Sequence, residues 1–295
     1  MTNIPTEKKK KRPERRPEWL KIKTPGGKNF AKIKTMMRSK SLHTVCEEAK
    51  CPNISECWSC GTATFMVLGD QCSRSCRFCA IKTADPYTPD PDEPSKVAES
   101  IKMMKLRHAV ITSVTRDDLP DGGSTFWAIL IKKVREVNPD TTIEVLIPDF
   151  NGEHSDIMKV IEAKPDILNH NVETVPRIYA KVRPQADYQQ SLDLLKLAGE
   201  KGMRTKSGIM VGLGEEKQEV IEVMKDLRAV GVKILTIGQY LQPNKELLPV
   251  SRYVHPDEFE GYRKTGLAMG FEHVESAPLV RSSYHADNHV ERKDV

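Results

Sequence analysis

The sequence predicts an α/β fold, on two observations. From residue 64 onward, short apolar runs alternate with stretches of helical spacing. The alternation repeats roughly every 30 residues, the size of one strand–helix unit. Such units set parallel strands side by side with helices between them. Six of them form either a doubly wound sheet or a partial barrel, and periodicity does not choose between the two.

The first strand is expected at Thr64–Gly69 (TFMVLG), followed by a loop with Cys72, Cys76 and Cys79. Helical spacing covers Pro94–Lys105. His108–Val114 is the second strand. Ser124–Val137 is the next helix, with Ser124 as its expected N-cap and Pro139 just beyond its end. Thr142–Pro148 is the third strand, Ser155–Ala163 a helix and Asp166–Thr174 the fourth strand. Tyr188–Glu200 is a helix closed by Gly202. Arg204–Leu213 is the fifth strand, Lys217–Val230 a helix and Ile234–Tyr240 the sixth strand. His255–Met269 is the last helix, with Gly270 at its C-terminal cap position.

The chain has 295 residues, 38% hydrophobic and 29% charged, as in globular proteins. No apolar run approaches the roughly 18 residues of a membrane helix, so no membrane partner is expected. The start lacks the apolar core of a secretory signal, and a cytoplasmic location is expected. Residues 1–40 hold 14 Lys/Arg against 3 Asp/Glu, so this segment carries +11 and the rest of the +5 chain −6. The basic extension reads either as a solvated leader or as an arm for an acidic protein. Nucleic acid is not an expected partner.

All seven cysteines fall between Cys46 and Cys79. A disulfide-stapled secreted protein spreads its cysteines through the fold. A tight group points to metal instead, and thiolates hold iron–sulfur clusters. Cys72-x3-Cys76-x2-Cys79 offers three thiolates on one loop. They suit three corners of a four-iron cluster and leave one iron open, as a catalytic metal requires. Zinc is the alternative, but it usually takes CxxC pairs and a fourth ligand nearby. Cys46-x4-Cys51-x5-Cys57 offers a second set of three, which Cys60 could complete. Two sets suggest two clusters.

In parallel α/β folds the loops after the strands build the active site. Here those loops hold CSRSCRFC, TRDDLPDGG, NVET and GLGEE. No GxGxxG or P-loop element follows a strand, and neither HExxH nor GxSxG occurs. Nucleotide-binding folds, zinc hydrolases and serine hydrolases lose support. Asn169, Asn171 and Glu173 alternate along the fourth strand. A parallel strand is normally apolar, so these residues must be paired in an internal layer or bind a polar ligand.

The CxxxCxxC loop, with Phe78 before its last cysteine, resembles the radical S-adenosylmethionine superfamily. CEEAKCPNISECW, GTATFMVLGDQCSRSCRFCA, VTRDDLPDGG, NHNVETV and RSSYHAD, in that order, resemble the lipoyl synthase family across residues 40–287. The resemblance implies a partial (βα)6 TIM-like barrel with N-terminal and C-terminal extensions. Its parts would be a basic extension (1–40), an auxiliary-cluster segment (41–63), the barrel (64–270) and a tail with the RSSY motif (271–295). It implies two 4Fe–4S clusters and S-adenosylmethionine as cofactors.

Cys72, Cys76 and Cys79 would hold the cluster that binds S-adenosylmethionine. Cys46, Cys51 and Cys57, with Ser283 of the RSSY motif, would hold the auxiliary one. Cys60 departs from the family pattern and reads as a bystander. Asn171 and Glu173 would contact the ribose hydroxyls, and the Phe78 backbone the adenine. By position, Thr115, Arg116, Asp117 and Asp118 could meet the methionine amino and carboxylate groups, an acidic residue such as Asp117 suiting the amino group and Thr115 the carboxylate, with surface charge as the alternative for Arg116 and Asp118. Lys206 and Arg183 are cations that could meet a carboxylate or stand as solvated charges.

The implied reaction is sulfur insertion at C6 and C8 of an octanoyl chain on a lipoyl carrier domain, with the auxiliary cluster as sulfur donor. The implied partners are that carrier and an electron donor such as ferredoxin or flavodoxin, and the enzyme is expected to act as a monomer. A different sulfur-inserting or methylthiolating radical enzyme would share the first cysteine loop but lack the RSSY tail. An electron carrier or zinc module would not consume S-adenosylmethionine.

Overall fold

The computed structural model describes residues 16–21, 28–40, 42–49, 51–59 and 63–290. The strands are β1 (His43–Thr44), β2 (Thr64–Val67), β3 (Gln71–Cys72), β4 (Lys82–Thr83), β5 (His108–Ser113), β6 (Thr142–Leu146), β7 (Ile167–Asn169), β8 (Arg204–Val211), β9 (Ile234–Gln239) and β10 (His273–Ser276). One mostly parallel sheet runs in the order β1-β2-β5-β6-β7-β8-β9-β10, with β1 antiparallel at one edge. This sheet is open. β3 and β4 pair separately, at the two ends of the cysteine loop.

The helices are α1 (Lys28–Ser39), α2 (Val45–Glu48), α3 (Ile54–Ser59), α4 (Glu93–Met104), α5 (Ser124–Val137), α6 (His154–Glu162), α7 (Tyr179–Val182), α8 (Tyr188–Glu200), α9 (Lys217–Ala229) and α10 (Pro256–Ala268). The six expected strand–helix units are all present. Two apolar cores seal the helices to the outer face of the sheet. One joins Val67, Ile111 and Val145 to Trp127 and Leu130 of α5. The other joins Val211 and Ile237 to Leu227, Phe259 and Tyr262 of α9 and α10. Among the described residues no helix is long and apolar enough to cross a membrane.

Four expectations change. Ser124 opens α5 but does not cap it. The Asp121 carboxylate accepts the N–H groups of Gly123 and Thr125 at 2.9 and 3.0 Å, while Ser124 Oγ donates to Asp156. The fourth strand is shorter than expected. Its ladder stops at Asn169, and only Glu173 bridges again to β8, with a left-handed φ of 68°.

A seventh parallel strand, β10, pairs with β9, so the sheet reaches into the expected C-terminal extension. Its sequence, HVES, is short and polar, which hides it from a periodicity reading. The basic extension is partly built into the fold. α1 buries Ile33, Met36 and Met37 in the same core as Trp58. Phe30, Ile33 and Met37 stand three and four residues apart, a helical stripe overshadowed by the flanking charges.

Candidate active site

The inner face of the sheet encloses a cavity of about 590 Å³. Met66, Thr112, Leu146, Gly208 and Thr236 line it from β2, β5, β6, β8 and β9, and His170 and Asn171 from the end of β7, so the sheet curls around it. Cys72, Cys76 and Cys79 line it from the loop after β2. Cys46 and Cys51 line it from α2 and the turn beyond, and Ser282 and Ser283 from the C-terminal tail. Segments more than 200 residues apart thus share one space. Cys57 lies half-buried on α3 against the neighbouring core and is not part of the lining. Cys60 lies outside the described residues.

The cysteine loop is fixed by one buried cation. Arg74 sits between Cys72 and Cys76. Its guanidinium donates to both oxygens of Asp117 at 2.6 and 2.9 Å, to Asp149 at 2.8 Å and to Asn151 at 2.6 Å. It thereby ties the loop to the segments after β5 and β6. The backbone N–H groups of Arg74 and Thr115 point at Cys72 Sγ, at 3.4 and 3.3 Å. Burial pushes the Cys76 thiol up, and it pushes Cys79 up to about 12, with Cys76 and Cys72 beside it adding to the effect. Cys46 is likewise pushed up to about 11 by burial and by Cys51. Such thiols ionise together when a cation neutralises them, which is what bound iron does.

The tail enters between the two cysteine groups. Its Val280 carbonyl lies so close over Gly238 of β9 that a Cβ there would collide with it. Thr64 Oγ1 donates to Ser283 Oγ at 2.7 Å, and Asn171 Nδ2 donates to Ser282 Oγ at 2.7 Å. Arg281 lines the same wall. At the far side of the tail, Tyr284 donates to Glu56 of α3 at 3.2 Å, so the tail also braces the segment that carries Cys57.

The cavity fits a polar ligand as well as clusters. Ser113 Oγ, Asn171 Oδ1 and Arg183 Nε are buried without a hydrogen-bond partner among the described residues, and all three side chains line the cavity. Glu173 stands beside them, receives Asn171 Nδ2 at 3.1 Å and holds its strained backbone. Strain of this kind persists where the surroundings over-determine it, often at binding sites. Burial raises the Glu173 carboxyl, and Arg183 partly offsets that. Three irons of a cubic cluster bind one thiolate each, so their ligands stay apart. A zinc site instead needs donors that converge on one point. Among the described residues no three His, Cys, Asp or Glu side chains form such a group.

Phe78, Thr115, Asn171 and Glu173 are therefore brought together with Cys72, Cys76 and Cys79 and with Cys46 and Cys51. Two expected contacts are not. Asp117 is outside the lining, and its carboxylate is taken by Arg74. Lys206 is fully buried nearer the N-terminal ends of the strands, where Glu144 holds it at 2.8 Å. Its charge is spent inside the sheet. Arg116, expected either at the methionine or at the surface, is buried, and it pairs with Asp118 and the Leu68 carbonyl. The sequence reading also missed Arg74 and Thr64. Arg74 had a signal, since a cation between two cluster cysteines needs acidic partners, and TRDDLPDGG supplies one.

Comparison with known proteins agrees with this arrangement. Residues 66–227 match the model of the radical SAM superfamily, and residues 2–51 match the N-terminal domain of lipoyl synthase of that family. The chain is 57% identical to a lipoyl synthase of Rubrobacter xylanophilus, covering 94% of this chain and 87% of that one. It is 52% identical to one of Christiangramia forsetii, covering 98% and 99%. It is 54% identical to one of Nematostella vectensis named as mitochondrial, covering 94% and 96%. Among solved structures, methylornithine synthase (PylB) superposes with a TM-score of 0.54 at 14% identity, over 78% of this chain and 77% of that one. Streptococcus suis SuiB bound to S-adenosylmethionine gives 0.58 at 11%, over 77% and 52%. At such identities these structures speak for the fold alone. With a family model over more than half its length and relatives above 50% identity over nearly all of it, the chain belongs to the lipoyl synthase family of radical S-adenosylmethionine enzymes.

Proposed function

We propose that this protein inserts sulfur at C6 and C8 of an octanoyl chain held on a lysine of a lipoyl carrier domain. One observation carries the reading: the first cysteine group, Cys46 and Cys51 of the second, and the two tail serines face one cavity. When bound, one 4Fe–4S cluster supplies the electron that splits S-adenosylmethionine into a hydrogen-abstracting radical, and a second supplies the sulfur. The curled open sheet is read as a partial (βα)6 barrel. The basic extension, cluster segment, barrel and tail are read as its working parts.

Cys72, Cys76 and Cys79 would hold the first cluster, with Arg74 keeping their loop in place. Cys46, Cys51, Cys57 and Ser283 would hold the second. A serine oxygen is a harder ligand than a thiolate, which suits a cluster that gives up its sulfide. Asn171 and Glu173 would receive the ribose hydroxyls, Thr115 and the Phe78 backbone the remaining polar edges, and Arg183 a carboxylate. The apolar wall of Met66, Val110 and Leu146 would exclude water from the acyl chain. Arg16 lines the cavity, and Trp19 packs edge-on against His255 at 5.1 Å. The basic extension therefore reaches the cavity through Arg16, where an acidic carrier would approach. A ferredoxin or flavodoxin as electron donor, a monomeric state and a cytoplasmic location complete the proposal.

The test is an anaerobic reaction of the iron-loaded protein with S-adenosylmethionine, a strong reductant and an octanoyl-lysyl peptide. Mass spectrometry should find 5′-deoxyadenosine and a peptide with two added sulfurs, lighter by two hydrogens once the dithiol is oxidised. Deoxyadenosine without a sulfur-bearing peptide would reject this substrate.

A further inference from the structure

Beneath the cavity the inner face of the sheet carries a second polar layer. Lys206 of β8 and Glu144 of β6 have fully buried side chains and meet at 2.8 Å. Asn169 of β7 donates to the same Glu144 oxygen at 3.2 Å, and His108 of β5 approaches the other oxygen at 3.4 Å. Side chains from four strands meet here, so all point inward. A buried ammonium needs acceptors around it. Glu144 is one, and the other comes from the tail: His289 Nδ1 lies 3.3 Å from Lys206 Nζ. Burial and the Lys206 charge pull the His289 imidazole down to about 3, so the ring is neutral and accepts a hydrogen bond from the ammonium. Arg204, at the start of β8, donates to the His289 carbonyl at 2.5 Å.

The tail is thus held at both ends. Upstream, Gln239 of β9 donates to the Pro278 carbonyl at 3.2 Å, and Val280 lies against Gly238. Downstream, His289 is 2% exposed and seated in the ion layer. Ser282 and Ser283 lie on the span between. We propose that Lys206, held by Glu144, is a latch that grips His289 and fixes the register in which the tail presents Ser282 and Ser283 to the cavity. Lys206 and His289 are positioning residues, since they act through the tail and touch no part of the cavity. The proposal rests on the reading of Ser283 as a cluster ligand.

The test compares His289→Leu, which keeps bulk and loses the acceptor, with His289→Gln, which keeps an acceptor. Arg204→Ala is a milder variant that leaves the core intact. Amide exchange over residues 280–288 is measured in the full chain without metal, so that it reports the latch alone. Exchange should quicken about tenfold in His289→Leu, as expected for one lost buried hydrogen bond to a charge. It should quicken less in Arg204→Ala and stay near wild type in His289→Gln. After iron loading, His289→Leu should alter the electron paramagnetic spectrum of the second cluster and raise the ratio of deoxyadenosine to inserted sulfur. Unchanged exchange in both His289→Leu and Arg204→Ala would overturn the latch. A Ser283→Ala protein with an unaltered second-cluster spectrum would overturn the ligand reading while leaving the exchange result standing.

Discussion

Two polar layers cross the inner face of one sheet, and they differ in what they face. In the cavity layer, Asn171, Arg183 and Ser113 each keep a buried atom without a partner among the described residues, and Glu173 holds a strained φ of 68°. In the lower layer Lys206 has two partners, Glu144 and His289, supplied by the sheet and by the tail. Both layers keep buried atoms without a hydrogen-bond partner, since His108 Nε2, Glu144 Oε2, Asn169 Oδ1 and His289 Nε2 of the lower one have none among the described residues. Only the upper layer borders the cavity. Polar residues inside a parallel sheet therefore do not by themselves mark a binding site. The distinction lies in whether they face space that a ligand could fill.

The largest effect should come from cutting into the cavity layer. Cys76→Ala should abolish 5′-deoxyadenosine formation, measured by chromatography after loading with iron and sulfide. Its circular dichroism should match the parent, since Cys76 makes no contact with the lower layer. Next is Arg74→Met. Arg74 and Asp149 have side chains only 4% and 0% exposed. Breaking such a pair leaves a buried carboxylate without its cation, so the metal-free protein should lose about 3 kcal/mol in urea unfolding.

The smallest effect tests the lower layer through pH. His170 and His289 are held down to about 4 and about 3, in each case mainly by burial, from an ordinary 6.5. Between those values the unfolded chain takes up protons that the native chain refuses, so stability falls as pH falls. His289→Gln should show a shallower loss of the metal-free protein's urea midpoint between pH 6.5 and 3 than the parent. Equal slopes would remove His289 from the buried layer.

Much of this was legible in the sequence. α5 and α8 begin and end where helical spacing puts them, and the other expected helices shift by about one residue. The two cysteine groups and the serine tail were visible as motifs. Depth was not legible. Asn169 and Asn171 look alike in NHNVE, yet one is fully buried against Glu144 and the other faces the cavity. Strand periodicity gives the face a side chain points to, not the layer it stops in. Lys206 and Asp117 were misplaced for that reason, because their partners, Glu144 and Arg74, lie 62 and 43 residues away.

The central claim is a division of labour between the two cysteine groups, and one variant tests it most directly. Cys51→Ala and the parent protein are loaded with iron and heavy-isotope sulfide, and then allowed a single turnover with S-adenosylmethionine and the octanoyl-lysyl peptide. The parent should place heavy sulfur in the peptide. Cys51→Ala should still form 5′-deoxyadenosine while its peptide carries no sulfur. Sulfur insertion by Cys51→Ala at the parent's level would contradict the account.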